Sequence, residues 1–144
     1  MIIETYSAKE TFALGEKMGA KAVPGLVFTL NGDLGVGKTV FAKGMARGLE
    51  ISEVVNSPTF TIVQEYKSGR LPLYHLDVYR IGDPEEMEEI GYEDYFFGDG
   101  VCLVEWAELI GELIPKTAVS VTIEKDESKG FDYRRITIDE GLKK

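Results

Sequence analysis

Residues Gly32-Asp33-Leu34-Gly35-Val36-Gly37-Lys38-Thr39 fit the phosphate-binding pattern G-x-x-x-x-G-K-[ST] without a mismatch. No other feature restricts the fold so strongly. A loop of this kind works only where a buried strand runs into the start of a helix. Its backbone N–H groups then turn inward, and the helix N-terminus adds partial positive charge. The flanks comply. Leu26 to Leu30 is a short apolar run of the kind found in parallel sheets. Thr39 to Leu49 places Phe41, Met45 and Leu49 on one face at helical spacing. In such a loop the lysine, here Lys38, reaches the β and γ phosphates, and the hydroxyl, here Thr39, holds Mg²⁺.

The rest of the sequence predicts one α/β domain over residues 1–144. It is a phosphate-loop, NTPase-like three-layer sandwich around a mixed sheet of about seven strands. Ser7 and Glu10 form a capping box that opens the first helix. Thr61 to Tyr66 and Leu73 to Asp77 read as an antiparallel hairpin. Asp83-Pro84-Glu85-Glu86 starts a helix that ends at Gly91, and an aromatic segment, Tyr92 to Phe97, follows. Val101 to Val104 is a second buried strand, with a short helix from Ala107 to Ile114 after it. Val119 to Ile123 and Ile136 to Ile138 alternate at period two, as a terminal hairpin with an acidic, exposed outer face would. Cys102, the only cysteine, reads as an inert core thiol.

Charge narrows the partners. The net charge is −9 and the pI about 4.7, which argues against this chain gripping nucleic acid on its own. No apolar run approaches membrane-spanning length, so a cytoplasmic protein without membrane contact is expected.

A nucleotide hydrolase needs a carboxylate near its metal, commonly at the end of an apolar strand. Glu105, ending Val101 to Val104, and Asp77, ending Leu73 to Leu76, both qualify. One can hold a metal-bound water while the other orients the attacking water. Ser57-Pro58-Thr59 lies where nucleotide switches place a sensing hydroxyl. His75 shares a strand face with Leu73 and Asp77 and reads as packed or hydrogen-bonded. Trp106 fits either a cover over the site or a core position. Arg80, Arg134 and Arg135 could each stabilise phosphate charge as an arginine finger does, and each also reads as a solvated surface arginine.

Taken together, Gly32 to Thr39, Ser57-Pro58-Thr59-Phe60, His75-Leu76-Asp77-Val78-Tyr79-Arg80, Asp83-Pro84-Glu85-Glu86 and Leu103-Val104-Glu105-Trp106 closely resemble the TsaE (YjeE) family. The stretch from Ser7 to Gly15 is similar to that family's start, and the resemblance runs over about residues 7 to 108. It implies an Mg²⁺-dependent ATPase of tRNA threonylcarbamoyladenosine biosynthesis. Such a protein acts with a TsaB–TsaD-like pair, which modifies adenosine 37 of tRNAs reading ANN codons, and it resets that complex. The tRNA is met only through the complex.

The resemblance also implies roles. Asp33, Leu34, Gly35, Val36, Gly37, Lys38, Thr39 and Val40 would surround the phosphates of ATP. Lys38, Asp77, Glu105 and Thr59 would serve catalysis, with Thr39, Glu105 and Asp77 around the metal. Thr11, Trp106 and one of Arg134 or Arg135 would contact the nucleotide, Arg134 being the one chosen here. Two alternatives stay open, a small phosphate-loop kinase and a nucleotide-binding scaffold that never hydrolyses. The kinase reading lacks an arginine-rich acceptor lid, and a GTPase reading lacks an [NT]-K-x-D run.

Overall fold

A computed structural model describes residues 1–33, 36–55, 63–79 and 81–141. Along the chain run β1 (Ile2–Thr5), α1 (Ala8–Lys21), β2 (Val27–Asn31), α2 (Lys38–Gly48), β3 (Val63–Tyr66) and β4 (Leu73–Asp77). Then come α3 (Glu86–Glu89), α4 (Tyr92–Phe96), β5 (Val101–Glu105), a 3-10 helix (Ala107–Leu113), β6 (Val119–Lys125) and β7 (Arg134–Asp139). The Ser7 hydroxyl caps α1 by accepting from the Glu10 N–H at 3.1 Å.

The strands form one seven-stranded sheet in the order β1-β7-β6-β2-β5-β4-β3. At its centre β2 lies parallel to both β5 and β6, and β5 lies parallel to β4. β3 and β7 run antiparallel to their neighbours. The carboxyl ends of β2, β4 and β5 therefore meet along one edge, where open α/β sheets bind ligands.

Alternation along the central strands feeds two cores. Phe28, Leu30, Val101 and Leu103 pack toward α1 and α2. Val27, Leu76, Cys102 and Val104 pack toward α3, α4 and the 3-10 helix. This is the expected three-layer arrangement, and its third layer covers only one half of the sheet. Beyond β2, the β6–β7 hairpin buries Val121, Ile123, Ile136 and Ile138 on the α1–α2 side alone. Its other face is mixed rather than acidic, because Arg135 pairs with Glu124 there at 3.5 Å.

The helix expected from Asp83 is shorter than the sequence suggests. Asp83 Oδ1 accepts from the Glu85 N–H at 2.9 Å, and four helical residues follow. Gly91, at φ 72°, then breaks the chain direction. The aromatic segment after it is α4, whose Phe96 is fully buried.

α1 and α2 pack backbone to backbone through glycines one helical turn apart. A Cβ on Gly15 would stand 2.4 Å from the Phe41 carbonyl oxygen, and one on Gly44 would stand 2.1 Å from that of Phe12. Arg70, from the β3–β4 turn, closes the end of α1. Its Nη2 donates to the carbonyls of Gly19, Ala20 and Ala22 at 2.6, 2.9 and 3.0 Å. Gly19 and Ala20 belong to the last helical turn and Ala22 is its C-cap, where acceptors lack intrahelical donors.

Candidate active site

The phosphate loop leaves β2 through Gly32, at φ 146°. A Cβ there would lie 2.6 Å from the Ile123 carbonyl oxygen and 2.8 Å from Val36 Cγ2, so only glycine fits. Asp33 is exposed, and its carbonyl accepts from the Val36 N–H at 3.3 Å. Val36 itself is buried. Leu34 and Gly35 lie outside the described residues. Gly37, at φ 102°, is the left-handed N-cap of α2. The helix ladder begins with Phe41 N–H to Gly37 O at 3.0 Å. Lys38, Thr39 and Val40 thus occupy its first turn, where amide donors precede the ladder.

On one side of the loop stand the carboxylates. Cross-strand register sets Asp77 of β4 beside Glu105 of β5. Glu105 is buried at 7 % exposure and touches two cations or donors. Its Oε1 lies 3.6 Å from Lys38 Nζ, and its Oε2 lies 2.7 Å from His75 Nε2. Burial alone pushes the Glu105 carboxyl up, but the His75 hydrogen bond and the Lys38 charge outweigh it. Together they hold it below the usual carboxylate range. Asp77 is half-buried and accepts from the Tyr79 N–H at 3.0 Å.

Immediately after Glu105 the backbone turns left-handed, with Trp106 at φ 63° and ψ 32°. This swings the indole out of the core to 38 % exposure. It sits 5.3 Å from Lys38 Nζ by its ring centre and 4.8 Å from the Tyr79 ring. Trp106 is therefore a cover beside the site. Tyr79, a half of that aromatic pair, escaped the sequence reading because nothing in its spacing announces the contact.

On the other side of the loop is a cavity of about 200 Å³ lined by Ala8, Thr11, Val36, Gly37, Val40, Asp132 and Arg134. That is below the roughly 300 Å³ of a drug-sized pocket, so it suits one ring system rather than a whole nucleotide. Thr11 is buried, and its hydroxyl is hydrogen-bonded to that of Thr5 at 2.8 Å. Arg134 donates from Nε to the Val36 carbonyl at 2.7 Å, tying β7 to the loop. Its Nη1 donates to the carbonyls of Phe131 and Tyr133 at 2.9 and 2.7 Å.

The structure thus brings Thr11, Val36, Gly37, Val40 and Arg134 together on one flank. Lys38, Glu105, Asp77 and Trp106 gather on the other. Arg135 points elsewhere, to Glu124. Thr59, with Ser57, Pro58 and Phe60, lies outside the described residues, as does Arg80. Cys102 is buried away from the site and donates to the Tyr95 carbonyl at 3.0 Å. Ala8 and Asp132, which complete the cavity wall, carried no sequence signal.

A family model described as "Threonylcarbamoyl adenosine biosynthesis protein TsaE" matches residues 5–136. The chain belongs to the TsaE family. A curated TsaE, the tRNA threonylcarbamoyladenosine biosynthesis protein of Bacillus subtilis (strain 168), is 53 % identical over 133 residues. The alignment covers 92 % of this chain and 81 % of that one. The TsaE of Treponema pallidum (strain Nichols) is 42 % identical over 117 residues, covering 81 % of this chain and 86 % of its own. The crystal structure of Bacillus subtilis YdiB superposes with a TM-score of 0.84 at 44 % identity, over 99 % of this chain and 86 % of that one. The family match reaches Ile136, well past the motifs that first suggested it, and so includes Arg134 of the cavity wall. Among the described residues no helix is long and apolar enough to cross a membrane.

Proposed function

We propose that this chain is an Mg²⁺-dependent ATPase that serves tRNA threonylcarbamoyladenosine synthesis together with a TsaB–TsaD-like pair. The family membership supports the pathway. The observation that carries the ATPase reading is the position of Lys38 at the head of α2, 3.6 Å from Glu105 at the end of β5.

The residues present fit a nucleoside triphosphate and its metal. The loop keeps a cradle that a Cβ at Gly32 would fill. It offers an ammonium at Lys38, a hydroxyl at Thr39 and two neighbouring carboxylates. Lys38 would neutralise charge on the β and γ phosphates. Thr39, Glu105 and Asp77 would hold Mg²⁺, which would supply positive charge against the phosphates. Glu105, kept ionised by its neighbours, also suits the orientation of a water. Thr59 is assigned the sensing hydroxyl on sequence grounds. The cavity between Thr11 and Arg134 would take the base, and Trp106 would shield Lys38 from solvent.

Arg134 spends three N–H donors on backbone carbonyls. In this reading it fixes the loop as a wall beside the nucleotide, while Arg135, paired with Glu124, takes no part. The net charge of −9 supports a reading in which the partner pair holds the tRNA.

Phosphate release from ATP tests the reading, with the protein alone and then with a reconstituted TsaB–TsaD-like pair and tRNA. Slow turnover alone, a rise with the pair, and loss in Lys38→Ala are expected. Turnover indifferent to the pair would overturn the partner assignment. ATP bound but never hydrolysed under any condition would leave the scaffold reading in its place.

A further inference from the structure

His75 lies mid-strand in β4, with Leu103 of β5 and Gln64 of β3 as its neighbours in register. No part of it reaches solvent. The same strand face two residues earlier is filled by Leu73, also fully buried, so packing at this depth does not call for an imidazole. Nor is the ring well satisfied there. Nε2 is 2.7 Å from Glu105 Oε2, but Nδ1 is buried with no hydrogen-bond partner among the described residues. A buried polar atom left unpaired is unfavourable. Histidine at this place therefore carries a penalty that leucine would not, and what it supplies in return is one N–H aimed at one oxygen of Glu105.

That bond has a geometric effect. The last torsion of a glutamate is broad and nearly two-fold, so a carboxylate held at one point turns freely. Here Oε2 is held from inside the sheet by His75, and Oε1 is left facing Lys38 Nζ at 3.6 Å. We propose that His75 is a positioning residue that fixes the rotation of Glu105, presenting Oε1 to Lys38 and the phosphate loop. This rests on the reading of Glu105 as a working carboxylate of the ATPase site. Partners of this kind orient the groups that meet a metal or water, and losing them lowers affinity or activity.

The protein has a single histidine, so its imidazole gives one set of nitrogen signals in NMR. The wild-type ring should carry its proton on Nε2, and the signals should move in Glu105→Gln. A ring whose Nε2 carries no proton would overturn the inference without any activity measurement.

Three substitutions then test function. The glutamine amide extends to about the place of Nε2, whereas the asparagine amide ends near Nδ1 and cannot reach Glu105. His75→Asn and His75→Leu should lower ATP turnover about 10- to 100-fold and raise the Mg²⁺ concentration for half-maximal turnover, with Mg²⁺-free nucleotide binding within about twofold of wild type. His75→Gln should recover most of the turnover. A merely structural role would treat the glutamine and asparagine variants alike. Glu105→Gln, assayed in parallel, separates the two readings. Unchanged turnover there overturns the role of Glu105 and this inference with it. Lost turnover there, with His75→Gln and His75→Asn equal, overturns the positioning role alone.

Discussion

Trp106 shows at the residue scale how a site draws on backbone strain. A left-handed non-glycine residue is unfavourable by about 1–3 kcal/mol. Here it carries an indole over Lys38 and against Tyr79. The aromatic contact returns about 0.5–1.5 kcal/mol, so the two nearly cancel. Trp106→Gly should therefore change stability by under about 1 kcal/mol while weakening nucleotide binding. Thermal unfolding and a binding titration on the same sample would check this, and a large loss of stability would refute it. Cys102 is the opposite case, a reactive atom silenced by its surroundings. Burial pushes its thiol up to about 12, and only the thiolate is nucleophilic. The folded protein should resist a thiol reagent at about pH 8 and react fully once denatured. Labelling of the native chain at the rate of a free thiol would contradict the burial.

Among the elements, the α1–α2 contact is the most demanding. Gly→Ala in a helix interior ordinarily helps by about 0.5–1 kcal/mol. At Gly15 or Gly44 the added methyl would meet a carbonyl oxygen at 2.4 or 2.1 Å, so Gly15→Ala and Gly44→Ala should each destabilise by about 1–3 kcal/mol. A raised melting temperature in either would overturn the close packing. This contact could have been read in advance, since both helices carry G-x-x-x-G, Gly15 to Gly19 and Gly44 to Gly48. Other elements were legible directly. The apolar run, the glycine loop and the amphipathic helix gave β2 and α2 within a residue at each end. The period-two runs gave the β6–β7 hairpin, and two strand-like runs gave β3 and β4, with Thr61 and Ile62 of the first run outside the described residues. The aromatic stretch that became α4 was not legible, because its helix is one turn long and held by packing of Phe96 rather than by propensity. The candidate site divides the same way. The residue types at Lys38 and Glu105 follow from local pattern. The His75–Glu105 bond joins residues thirty apart and depends on strand register, which no local pattern encodes. Arg134 is separated from Arg135 by alternation along β7, and that could be told only once the hairpin face was known.

Across the whole molecule, charge is unevenly placed. From Ile81 to Pro115 the sequence has many aspartates and glutamates and no lysine, arginine or histidine. This stretch forms α3, α4, β5 and the 3-10 helix, so much of the net charge of −9 lies on the side of the sheet away from α1 and α2. Phosphate backbones are repelled by such a surface. The chain alone should not retard tRNA in a gel at about 0.15 M salt, and a shift appearing only with the partner pair is expected. Tight binding of tRNA by the isolated chain would refute this.

The sheet order also links the two ends of the chain. β1 has one neighbour, β7, and the Met1 amine donates to the Ile138 carbonyl at 3.0 Å. A ribosome makes the first strand well over a hundred residues before the strand that will receive it. Through most of synthesis β1 has no place in the sheet, and β7, when it arrives, brings Arg134 to the phosphate loop in the same event. A nascent chain stalled before β7 would hold the loop sequence and its lysine but not the wall that fixes them. The competence of the site is thus tied to the arrival of β7, and nucleotide binding should first be found in chains that have passed that strand.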